Sequence, residues 1–134
     1  HFGSKDGLIS ALLEYLAILY SNELDMTFSH EPPADRRECI VRSLKTARTE
    51  AFRPFMRIWW EIVAAAANGD TAYRENADIM AARLLQWFED HMPMGDPDPQ
   101  SGAKLLFTLT EGAMMLDALG RGDIADAGIA AADL

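Results

Sequence analysis

The sequence predicts an all-α protein, a helical bundle of about five main helices, and three observations carry that reading. Apolar residues recur at i, i+3 and i+4 along most of the chain, the spacing of one helical face. Apolar/polar alternation never runs long enough to argue a strand. Proline- and glycine-containing breaks near residues 30–33, 69, 93–99 and 120 divide the chain into helix-sized pieces. With 134 residues, 49% of them apolar and 25% charged, the chain fits one soluble domain with a core of its own.

Ser4 is a suitable N-cap for the first helix, which carries Leu8, Leu12, Leu16, Tyr20 and Leu24 at i+4 intervals. Ile9, Leu13, Ile18 and Leu19 widen this stripe, so the helix is expected to pack on two sides. Pro32 and Pro33 end it. Asp35 caps a second helix running to about Thr49, with Ile40, Leu44 and Ala47 inward. A third helix is expected from Pro54 to Asn68, before the Gly69 stop. It presents Phe52, Met56, Trp59, Trp60 and Val63 on one broad side and pairs Arg57 with Glu61 outside.

Asp70 caps a fourth helix, from about Thr71 to Met92, with Tyr73, Ala77, Met80, Leu84 and Phe88 on one stripe and Leu85 and Trp87 beside it. After a loop, Asp98 and Pro99 open a fifth helix ending near Gly120, and residues 123–134 can add one or two further turns. Between Ser101 and Leu119 the only charges are Lys104, Glu111 and Asp117, and Gly102 and Gly112 lie inside the helix. An interior glycine costs roughly 1 kcal/mol against alanine, which suggests a closely approaching backbone. A second subunit is the expected cover. The fourth and fifth helices of two subunits are therefore expected to pack as a four-helix interface through Leu84, Leu85, Trp87, Leu105, Leu109, Gly112 and Leu116.

Charge and chemistry narrow the function. Residues 1–57 hold eight basic and eight acidic residues, so the net charge of −9 lies wholly in residues 58–134, a surface that repels nucleic acid. The apolar run Leu8–Tyr20 is too short to span a membrane and contains Ser10 and Glu14; no leader peptide is recognisable. The lone Cys39 allows no internal disulfide and reads as packing; a reducing, cytoplasmic setting is expected. His1, His30 and His91 form no i+4 pair and no Glu-x-x-His, and no nucleophile elbow or phosphate-binding glycine loop occurs. No enzyme activity, metal or cofactor is expected.

The opening His1-Phe2-Gly3-Ser4-Lys5-Asp6-Gly7-Leu8 resembles the junction of TetR-type transcriptional regulators. In that family a Tyr/His-Phe-x-Ser-Lys-Glu/Asp-x-Leu stretch joins the recognition helix to the ligand-binding body. The motif match covers residues 1–8; residues 4–134 are similar to the body in helical architecture. The resemblance implies that residues 1–8 end a helix-turn-helix head whose base-reading part lies upstream, with His1 in the last turn of the recognition helix. It also implies that Lys5 contacts the operator backbone, where a helix start and a positive charge together suit a phosphate.

The resemblance further implies a homodimer whose body encloses a pocket for a small, mostly hydrophobic or aromatic effector. Met56, Trp59, Trp60, Met80, Phe107, Met114 and Met115 are the candidate lining, since aromatics stack and methionines adapt to irregular shapes. A Met/aromatic stripe at helical spacing is equally the mark of an ordinary core. Trp59 and Trp60 lie roughly 100° apart on a helix and are not expected to face one cavity. Glu111, in an apolar helix, is the polar candidate: buried, it needs a partner or a proton and can then orient a ligand, while an exposed edge residue or a satisfied interface contact is the equal alternative. Seven basic residues between Arg36 and Arg57 read as a solvated face, with an anion site as the other reading. The function expected is a ligand-responsive, DNA-binding regulator of the repressor kind; the alternative is a helical carrier or sequestering module without DNA binding.

Overall fold

Asp35 accepts a hydrogen bond from the Glu38 amide at 2.8 Å, Asp70 from Tyr73 at 3.1 Å and Asp98 from Ser101 at 3.2 Å. Each satisfies an amide that a helix's first turn leaves without an intrahelical acceptor. A computed structural model describes residues 5–134, and there the chain forms six α-helices. They are α1 (Lys5–His30), α2 (Arg36–Ala47), α3 (Arg53–Ala67), α4 (Thr71–His91), α5 (Pro99–Ala118) and α6 (Gly122–Ala131). No strand occurs among the described residues. The cap expected at Ser4 and the DNA contact expected at His1 lie outside them.

Gly69 (φ 96°) and Gly120 (φ 74°) take the left-handed conformation just past α3 and α5, where a side chain would be strained. The second helix stops short of Thr49. The backbone tightens there, with the Thr49 amide and hydroxyl both donating to the Thr46 carbonyl, and a single 3-10 turn (Glu50–Phe52) leads into α3. The expected C-terminal turns form a full helix, α6.

Helix α5 lies against α2, α4 and α6, while α1 packs on α2, α3 and α4. Leu24 and Ile40 are wholly inaccessible, with Leu13, Ile62 and Leu106 nearly so. Burying such a side chain is worth ~1.5–3 kcal/mol, so this layer carries much of the stability. The inward row of α1 is Leu13, Tyr20, Leu24 and Phe28, whereas Leu8, Leu12, Ile18 and Leu19 are exposed. The apolar stripe is therefore wider than the buried one, and only one side of α1 meets other helices of this chain. On α3, Ile62 is buried and Val63 exposed, the reverse of the expected order.

The cover expected for α5 from a second subunit comes in large part from within the chain, because α6 adds a wall on the side that five helices leave open. Within the chain, neither of its glycines is approached by the backbone of another element. A Cβ at Gly102 would lie 2.9 Å from Met92 Sδ and 3.2 Å from Arg36 Nε, so that glycine makes room for two side chains. A Cβ at Gly112 would meet nothing within 4 Å.

Long-range polar ties fasten the ends of the elements. Arg36 donates through Nε to Asp96 Oδ2 at 2.7 Å, pinning the α4–α5 loop to the start of α2. Arg48, just past α2, donates to Asp117 of α5 through Nε and Nη2, both at 2.8 Å, and to Asp126 of α6 at 2.7 Å. Its charge holds the Asp117 carboxyl below the usual carboxylate range. Arg57 and Glu61 form no ion pair among the described residues. Cys39 is buried, and burial pushes its thiol up to about 11, which fits a packing role.

Candidate functional site

An apolar cavity of about 40 Å³, partly open to the surface, lies between the helices. Helix α1 contributes Leu16, Ala17 and Tyr20; the 3-10 turn and α3 contribute Phe52, Phe55 and Met56. Leu84 and Phe88 close it from α4, and Phe107, Thr110, Glu111 and Met114 line it from α5. Aromatic edges hold the wall: Tyr20 meets Phe52 and Phe88 in T-shaped contacts at 5.2 and 6.5 Å between centroids. Phe88 meets Phe107 likewise at 6.4 Å.

Most polar groups at this cavity are already engaged. The Tyr20 hydroxyl donates to the Ser43 carbonyl at 3.0 Å, and burial makes it far less acidic than an ordinary phenol, so it stays a neutral donor. Thr110 Oγ1 donates to the Leu106 carbonyl at 2.7 Å. Glu111 differs. Trp59 Nε1 donates to its Oε2 at 2.9 Å, and Oε1 has no hydrogen-bond partner among the described residues. Every sealed side-chain nitrogen and oxygen among them is satisfied, so Oε1 is not sealed and keeps some accessible surface. Burial pushes the Glu111 carboxyl up; the indole hydrogen bond opposes that rise only in part. The arrangement offers one carboxyl oxygen to a hydrogen-bond donor within otherwise apolar walls.

Of the expected lining, Met56, Phe107, Glu111 and Met114 come together at the cavity. Trp59 and Trp60 face different spaces, as their angular separation requires. Trp59 is buried behind Glu111 and positions it, whereas Trp60 lines a surface groove. Met80 belongs to the core and not to the cavity, and Met115 is 54% exposed. Sequence reasoning missed Leu16, Ala17, Tyr20, Phe52, Phe55, Leu84, Phe88 and Thr110 as lining residues. Most carry a helical core signal, but which core residue borders a void is decided by packing between elements.

Of the expected dimer residues, Leu84 lines the cavity, while Leu85, Trp87, Leu105 and Leu109 pack against the chain's own core and keep part of their surface. Trp87 stacks on His91 at 3.8 Å between ring centroids. Gly112 and Leu116 are half-buried, and Lys5, the expected phosphate contact, is exposed at the start of α1. A scan against protein-family models matches none, and neither a curated protein nor a solved structure matches the chain. No group of three or more metal-ligating side chains occurs among the described residues, and no helix there is long and apolar enough to cross a membrane.

Proposed function

We propose that this chain is the effector-binding and dimerising body of a TetR-type transcriptional regulator of the repressor kind. The observation that carries the reading is the apolar cavity with the unshared Glu111 oxygen on its wall, in an all-helical chain that opens on the junction motif. The effector is a small, mostly hydrophobic or aromatic compound carrying one hydrogen-bond donor, which Glu111 Oε1 accepts. At about 40 Å³ the cavity holds little more than a water molecule, whereas a ligand site is ordinarily ~300 Å³ or more. Binding therefore requires Met56 and Met114 to change rotamer, which unbranched side chains do at little cost.

In this reading two bodies pair through α4 and α5, the upstream heads grip operator DNA, and Lys5 touches its backbone. Effector binding favours one spacing of the heads over the other, and the difference in affinity between the two spacings is the regulatory signal. The body itself performs no catalysis, and the regulator works in the cytoplasm.

A thermal-shift screen of apolar compounds with and without a hydroxyl or amine tests the pocket. A ligand at 100 times its Kd stabilises by ~2.7 kcal/mol. Hits are expected to favour the donor-bearing member of each pair and to weaken in Phe107→Ala and Glu111→Leu. Hits indifferent to both substitutions refute the site. Sedimentation tests the pairing: a dimer is expected that Gly112→Leu weakens, and the added side chain meets open space within its own chain. A monomer at micromolar concentration removes the pairing of heads and leaves the carrier reading.

A further inference from the structure

A groove of about 990 Å³ opens on the molecular surface where α2, α3, α5 and α6 meet, and Met56 and Met114 line both this groove and the apolar cavity. The two methionines are thus the partition between a small apolar space and a large one open to water. Trp60 adds an aromatic surface on the groove side.

The groove's charge opposes that of the chain. Arg37, Lys45, Arg48, Arg53 and Arg57 line it against Asp117 and Asp126, an excess of three positive charges in a protein of net charge −9. Both aspartates are engaged by Arg48 alone. Arg37 donates to a neutral acceptor, the Ala132 carbonyl, at 3.1 Å. Arg53 lies 3.8 Å from Glu50, both largely exposed, a pairing worth little in water. Lys45 and Arg57 have no hydrogen-bond or ion-pair partner among the described residues. Four cations converge without a strong countercharge, although the chain carries twenty-one carboxylates. Like charges side by side are disfavoured in an empty site and relieved by an anion.

We infer that the ligand is an amphipathic anion, its carboxylate or phosphate head held in the groove by Lys45, Arg57 and Arg37 and its apolar tail, which carries the donor for Glu111, passing between Met56 and Met114 into the cavity. This rests on the cavity reading above and adds to it the head group and the point of access. The head meets the cations of the groove and the tail the apolar walls of the cavity, so charge sets selectivity and tail length sets affinity.

The test is titration of the 134-residue chain, followed by tryptophan fluorescence and calorimetry, with decanoate, decyl phosphate, decanol and decylamine. Decanoate or decyl phosphate is expected to bind at least tenfold more tightly than decanol, with decylamine weakest; the tighter of the two anions identifies the head. In the Lys45→Glu/Arg57→Glu double variant, whose changed side chains are both exposed, anion affinity should fall at least tenfold while decanol binding is unchanged. Equal binding of decanol and the anions, or anion binding indifferent to the charge reversal, overturns the head-group assignment and leaves the cavity reading standing. Thr110→Leu fills the cavity: anion binding that survives it, in a variant with unchanged helical circular dichroism, overturns the cavity reading and the tail path together.

Discussion

Glu111 and Asp117 lie on one helix, α5, and the protein treats their carboxylates in opposite ways. Asp117 receives two hydrogen bonds from a guanidinium, which hold its charge and keep its carboxyl ionised below the usual carboxylate range. Glu111 receives one hydrogen bond from a neutral indole, and burial pushes its carboxyl up. A countercharge with two parallel bonds makes an anchor, geometrically fixed and indifferent to ligands. A desolvated carboxyl with a single neutral donor and a free oxygen is costly in the empty protein, and a bound donor can recover part of that cost. Asp117 joins α2 to α5, whereas Glu111 keeps a binding function open.

The strongest way to break this contrast is at the anchor. Arg48→Met removes every hydrogen bond to Asp117 from α2 and also frees Asp126, and urea unfolding at neutral pH should show a loss of ~2 kcal/mol. An unchanged midpoint would mean that the guanidinium ties are no stronger than ordinary surface pairs.

Trp59→Phe keeps the aromatic packing but withdraws the only donor to the Glu111 carboxylate among the described residues. A loss of ~1 kcal/mol is expected at neutral pH, shrinking on mild acidification as the carboxyl takes up a proton. A loss independent of pH would assign Trp59 to packing alone.

Glu111→Gln should act in the opposite direction. The amide oxygen can still accept from Trp59 and carries no charge to desolvate, so the empty protein should gain up to ~1 kcal/mol by thermal melting while losing affinity for ligands that donate to Oε1. Destabilisation would show that the carboxylate contributes to the fold.

The smallest effect is the shape of stability against pH, where the two groups pull apart. Glu111's folded value is raised, so folding gains as pH falls through that value towards the ordinary carboxylate range. Asp117's folded value is lowered, so its contribution, complete above the ordinary range, is lost as pH falls further. A shallow maximum on the mildly acidic side is expected in urea midpoints, with its rising limb absent in Glu111→Gln.

Much of the fold was legible because the signals that fix it are local. The caps at Asp35, Asp70 and Asp98 and the stops at Gly69 and Gly120 need only a few neighbouring residues to work. The rotation of α1 was not legible. Its apolar residues surround so much of the helix that the sequence does not say which of them the other helices will cover. At the site, Glu111 stood out as a charge in an apolar run, and Met56, Phe107 and Met114 as adaptable or aromatic lining. Its partner Trp59 was visible only as one more aromatic, because the hydrogen bond joins α3 to α5 across the bundle. The basic stretch from Arg36 to Arg57 was plain, but its convergence on one groove depends on how α2 and α3 pack.

Helix α6 is built from GDIADAGIAA, buries only Ala125, and is tethered by Arg48 to Asp126 and by Arg37 to the Ala132 carbonyl. Such a segment has little apolar area to lose on detaching, so its amides should exchange with solvent deuterium well before those around Leu24, Ile40 and Leu106. Warming then dismantles one wall of the basic groove while the core still holds, and the groove has a melting point of its own below that of the protein.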